Sequence, residues 1–123
     1  MVYAGVGPRR TPLRVLRYME TRARRLAERG WRLRTGGAEG VDAAFLHGAL
    51  GYGEVEVYLP WPGFRGAAIP PDVVRLARPE PWAYELAARA YGPAWHALGA
   101  GVKALHARNA HILAGPGPEL ALV

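Results

Sequence analysis

The sequence predicts an α/β domain built on a mostly parallel sheet of about four strands, and three features carry that expectation. Short apolar runs alternate with helical patterns over the first half of the chain, in the order strand, helix, strand, helix, strand. The first two runs each end in a glycine-rich loop, GVGPRRTP and TGGAEGVD, that leads directly into a helix. No repeat or interdomain linker breaks the 123 residues, so residues 1–123 form one domain large enough for its own core. Successive strand–helix–strand units then place parallel strands side by side through right-handed crossovers.

Val2 to Val6 is an apolar run ending in glycine and reads as a buried strand. Thr11 and Pro12 make a helix start, with Thr11 as N-cap and Pro12 at the first helical position. From there to Arg29, Leu16, Met19, Ala23, Leu26 and Ala27 share one face; Arg14, Arg17, Arg25 and Arg29 share the other, flanked by Arg22 and Arg24. Gly30 ends this helix. Trp31 to Arg34 is a second strand, Val41 to Leu50 a second helix, and EVEVYL, from Glu54 to Leu59, a third strand by its alternation. Residues 60–71 are too rich in proline and glycine for regular structure. Pro81 to Tyr91 and Pro93 to Arg108 read as two helices parted by Gly92-Pro93, with Trp82, Tyr84, Tyr91 and Trp95 packing them together. AGPGPE is a turn, and Leu120 to Val123 a fourth strand.

Composition closes off several function classes. The absence of cysteine excludes disulfides, thiolate catalysis and cysteine-ligated zinc, and the absence of serine excludes a Ser/His/Asp triad. His106 and His111 stand five apart across an expected helix end, a poor ligand pair, so no metal or cofactor is expected. No run approaches the roughly 18 apolar residues of a membrane span. The opening MVYAGVG has no signal-peptide character, which points to a cytoplasmic protein. The charge of +6 is concentrated: residues 1–34 hold ten arginines against Glu20 and Glu28. Such a basic half favours an anionic partner, although fifteen of the sixteen basic residues are arginine, a bias that coding composition or adaptation to heat also produces.

In a parallel sheet, ligands gather beyond the carboxyl ends of the strands, where free amides at helix starts attract anions. Gly36, Gly37 and Gly40 would let the second loop fold around a phosphate, with the Thr35 hydroxyl as a further donor and Arg9 and Arg10 neutralising charge from the first loop. The competing reading is a tight strand-to-helix turn, with Asp42 as a first-turn acid that stabilises the helix. Trp61, Phe64 and Arg65 lie in the loop after the third strand, where they either stack on a base and hold a phosphate or pin the loop to the body. His106, Arg108 and Asn109 close a helix, and their cationic members suit its C-terminal end.

GVGPRRTP followed by LRTGGAEGVDAAFLHGA, with YLPWPGF at 58–64 and LHARN at 105–109, resembles the SLOG superfamily. These Rossmann-like three-layer domains include the DNA-processing protein DprA (Smf) and the LOG-type nucleotide phosphoribohydrolases, and uncharacterised phage and bacterial members share the last two motifs. The resemblance implies that Gly7, Arg9, Gly36, Gly37, Gly40 and Asp42 occupy nucleotide- or phosphate-binding loops. It also makes His106, Arg108 and Asn109 ligand contacts. Pro8 stands where the family has the serine of G-S-R, and Thr35 where it has the serine before the paired glycines. The LOG-type P-G-G-x-G-T segment with its catalytic glutamate has no counterpart here, so no catalytic residue is assigned.

The expected function is binding of a nucleotide or nucleotide derivative. Single-stranded DNA binding, N-glycosidic hydrolysis of a nucleotide, or a structural role in which the LALV strand pairs with another copy in a homo-oligomer are the alternatives.

Overall fold

The computed structural model describes residues 1–64 and 68–117. Four parallel strands, β1 (Val2–Ala4), β2 (Arg32–Thr35), β3 (Val55–Tyr58) and β4 (Val74–Leu76), lie in the order β1-β2-β3-β4. Helix α1 (Leu13–Glu28) links β1 to β2, and α2 (Val41–Ala49) links β2 to β3. Helices α3 (Pro81–Tyr91) and α4 (Ala100–Ala114) follow β4, with a 3-10 turn at Pro93–Ala97 between them. The architecture is α/β, consistent with a Rossmann-like three-layer fold.

Strand alternation decides what each layer buries. Tyr3, Leu33 and Val55 point to one face and pack on Ala23 and Ala27 of α1 and on Phe45 and Ala49 of α2. Val57 meets Leu46 of α2 beside Leu59 and Ile69 on the same side. The helix-facing side of α1 is mostly small, which lets its backbone approach α2 closely: a Cβ on Gly48 would lie 2.1 Å from the Glu20 carbonyl. The opposite face of the sheet is polar. Arg34 and Arg32 both pair with Glu56, at 3.2 and 3.4 Å, and the Tyr58 hydroxyl donates to the same carboxylate. On this side His111 of α4 lies flat on Tyr58, with ring centroids 5.5 Å apart.

Several elements depart from the sequence-based expectations. Thr11 is not the N-cap of α1: its hydroxyl donates to the Pro8 carbonyl at 3.3 Å, and Pro12 occupies the cap position without a side-chain bond. Gly30, at φ +85°, does end the helix region. The run from Pro93 to Arg108 is not one helix, because Leu98 and Gly99 are extended and α4 starts at Ala100. Arg108 therefore sits inside a helix that continues to Ala114, rather than at its end. The fourth strand lies at Val74–Leu76, paired with β3, in a stretch for which no strand was expected. The expected strand at residues 120–123, and the pairing between copies that it suggested, fall outside the described residues. Among the described residues no helix is long and apolar enough to cross a membrane.

His111 ties α3 to α4. Its Nε2 accepts from the Glu80 amide at 3.0 Å, immediately before α3, so its Nδ1 carries the proton and donates to the Gly115 carbonyl at 2.8 Å. Trp82 packs edge-on against the same ring at 4.7 Å. Burial pushes the imidazole below its ordinary pKa, opposed by the Gly115 carbonyl and the Glu80 charge. Protonation would also place a proton on Nε2 against an amide that already donates. The native state thus binds this proton less readily than the unfolded chain, and stability falls as pH drops below about 6.5. Urea midpoints measured from pH 8 to 5 are expected to show this decline, and His111→Phe, less stable overall, is expected to flatten it.

Candidate functional site

The two glycine-rich loops meet at the carboxyl ends of β1 and β2, and they hold one another. Gly40, at φ +81°, lies directly under the first loop: a Cβ there would stand 2.3 Å from the Arg9 carbonyl and 2.4 Å from that of Pro8. The next residue, Val41, donates its amide to the Pro8 carbonyl at 3.1 Å. A glycine is required at 40 both for its backbone conformation and for this approach.

Asp42 fills the bend. One carboxylate oxygen accepts from the Gly7 amide at 3.1 Å and the other from the Ala38 amide at 3.3 Å. The Gly36 amide faces the same carboxylate. Burial raises the Asp42 pKa, and the three amides and the positive charge of Arg108 oppose that rise. Two loop amides, Gly7 after β1 and Ala38 after β2, are thus committed to an anion the chain itself supplies. Asp42 is 4% exposed and is more than a surface acid complementing a helix dipole.

Arg108 of α4 closes the arrangement from the opposite layer. It is 6% exposed and donates through Nη1 to the Gly36 carbonyl at 2.8 Å and the Tyr58 carbonyl at 3.4 Å. Its Nε donates to Oδ1 of Asn109 at 3.0 Å. Burial lowers the guanidinium pKa, the Asp42 charge restores it in part, and Arg9 acts in the same direction as burial. A Cβ on Gly36 would lie 2.6 Å from Nη1 of Arg108 and 3.0 Å from Oδ2 of Asp42, so glycine here makes room for both charges.

Beside this pair opens a cleft of about 400 Å³. Asp42, Arg108, Arg9 and Asn109 supply its polar wall, and Val6, Ile112 and Leu113 are among its apolar lining residues. Arg9 and Asn109 are exposed, so their side chains are accessible for contact with a bound molecule. An adjoining apolar groove of about 300 Å³ between α3 and α4 shares Asn109 and Leu113 with it.

The remaining expected site residues divide plainly. The Thr35 hydroxyl is fully buried and donates to the Gly5 carbonyl at 2.7 Å, so it is not a ligand donor. Gly37, at φ +70°, is buried, and a Cβ on it would lie 2.5 Å from Ile69. Arg10 is exposed and does not line the cleft. Phe64 packs against the cluster around Val57 and under the Arg108 guanidinium, 5.6 Å from its ring centre. Trp61 stands edge-on to Phe64 at 5.4 Å, 40% exposed, so this aromatic pair pins its loop to the body. Arg65 lies outside the described residues. His106 sits among Tyr91 and Trp95 beside the apolar groove, away from the cleft lining. Val6, Ala38, Ile112 and Leu113 were not legible as site residues, because single apolar residues carry no signal beyond packing. Among the described residues no cluster of three metal-ligating side chains occurs.

No protein-family model matches the sequence, and no curated protein and no solved structure matches it significantly.

Asp42→Ala would leave the loop amides unpaired and Arg108 buried without its counter-charge. A loss of about 2–6 kcal/mol is expected, at about 1–3 kcal/mol for each of the two buried amides left without an acceptor. Asp42→Asn keeps one acceptor but turns an NH2 toward an amide donor, for a loss of about 1–3 kcal/mol. Chemical denaturation of the two variants checks the order, and equal stability of all three proteins would contradict the role given to Asp42.

Proposed function

We propose that the cleft beside Asp42 and Arg108 binds a nucleotide or a nucleotide-derived ligand. The observation that carries this reading is the meeting of Arg9, Asp42, Arg108 and Asn109, drawn from three distant stretches of chain, in one cleft at the carboxyl edge of a parallel sheet. That edge is where open α/β sheets hold ligands, and about 400 Å³ falls within the range of small-molecule sites.

The roles differ from those a phosphate cradle of glycine amides would have. Arg9, exposed at the mouth, supplies the cation for a phosphate, and Asn109 supplies an amide beside it. Each Asp42 oxygen, already holding one amide, retains a second lone pair for a hydroxyl of the sugar. Val6, Ile112 and Leu113 offer an apolar surface to a base. Among the described lining residues Asp42 is the carboxylate.

Thermal unfolding with a panel of nucleoside monophosphates, adenosine, ribose 5-phosphate and inorganic phosphate tests the reading. A ligand at 100 times its Kd adds about 2.7 kcal/mol of stability, which raises the melting temperature measurably. Arg9→Glu, at an exposed position, is expected to abolish the shift for the phosphorylated compounds while leaving the unliganded melting temperature unchanged. Absence of any shift with the whole panel at millimolar concentration would reject the reading.

A further inference from the structure

The groove of about 300 Å³ between α3 and α4 is a surface that the proposed ligand does not use. Leu86, Ala87 and Ala90 of α3 line it with Ala110 and Leu113 of α4, and no Asp, Glu, Lys or Arg does. Leu86 is 46% exposed and Leu113 77%, and Ala90 beside them is exposed as well. A single exposed leucine carries no message, but two on one charge-free groove mark a contact surface.

The residues along α3 are arranged to fit a reversed copy of themselves. Leu86 and Ala90 form one row beside the groove, and Glu85 and Arg89 form the neighbouring row, outside its lining. All four are exposed. Each row holds a pair of opposites, large with small and acid with base. Among the described residues the ion pairs are Arg24–Glu28 and those that Arg32 and Arg34 make with Glu54 and Glu56. Glu85 and Arg89 are thus unpaired among them, although they stand one helical turn apart. In a two-fold contact residue i meets residue j of the other copy, and j meets i. Where α3 packs antiparallel on α3 of a second copy, each row runs against its own reverse. Leu86 then meets the space above Ala90, and Glu85 meets Arg89, each contact occurring twice.

We infer that this face of α3, with the groove beside it, is the interface of a two-fold dimer whose other half is a second copy of this chain. An unrelated partner would need its own sequence of large and small, acid and base, in the right order. A second copy carries that complement already. The contact is made by helices rather than by strand edges, and it does not depend on what the cleft binds.

Sedimentation velocity of the full chain from about 1 μM to about 1 mM is the test. The parent is expected to pass from monomer to dimer within that range. Leu86→Glu places a carboxylate from each copy in the apolar contact and is expected to weaken association at least about 10-fold. Its melting temperature at the lowest concentration is expected to stay close to the parent's, since position 86 is exposed, which separates dissociation from unfolding. Glu85→Arg and Arg89→Glu each set like charges together at both symmetric contacts. Each is expected to weaken association about 5-fold or more at about 50 mM salt, and less at about 1 M. Glu85→Arg/Arg89→Glu restores opposite charges and is expected to associate within about 2-fold of the parent. A parent that stays monomeric to the highest concentration, association unchanged by Leu86→Glu, or a double variant as weak as the single ones would each overturn the inference. None of these positions lines the cleft, so the nucleotide-induced thermal shift is expected to be the same in every variant, and the two readings fail separately.

Discussion

The carboxylate of Asp42 is the interaction on which the rest of the site depends. It accepts amides from the loop after β1 and from the loop after β2, and it faces a guanidinium from α4 across the backbone of Gly36. Three segments far apart in sequence are thereby fixed around one buried charge. An unpaired carboxylate in that position would be costly, and the amides and Arg108 together offset the cost of burying it. The glycines follow from the same constraint. They bring backbone close to backbone at Gly40, and they leave room for two charged side chains at Gly36.

This changes what a glycine-rich loop before a helix means here. Such loops accommodate phosphate because their amides are free and the helix dipole is exposed. In this chain an internal acid sits on the Gly7 and Ala38 amides, so in the proposed reading recognition of an anion passes to side chains at the rim, chiefly Arg9. The electrostatic character of the cleft is correspondingly mixed, with a carboxylate and two guanidinium groups along one lining. A polar ligand bearing both hydroxyls and negative charge complements it better than a bare anion does.

Much of the scaffold was legible in the sequence, and the reasons for the misses are physical. The period-two alternation in Val55–Tyr58, the amphipathic face of α1, and Pro81 at the first position of α3 are local signals that tertiary structure had no reason to override. The β4 strand, Val-Arg-Leu, is too short to show a period, and its pairing with β3 rather than its composition makes it a strand. Asp42 was singled out, but a sequence cannot tell an acid that faces a ligand from one that folds back onto its own loop. The sequence reading ends the helix at Arg108, whereas α4 continues to Ala114 and Arg108 is buried within it. The extended Leu98 and Gly99 follow a turn whose Trp95 packs on Tyr91 and His106, contacts that no local pattern announces.

The way α4 is fastened has its own consequence. Its buried apolar residues are mostly alanines, which offer little area, while Arg108 and His111 fix it through directional bonds to Gly36, Tyr58, Glu80 and Gly115. Such bonds weaken steeply as their geometry departs from the optimum. Because this helix also bears Asn109, Ile112 and Leu113, the same bonds that seat α4 also set where one wall of the cleft stands.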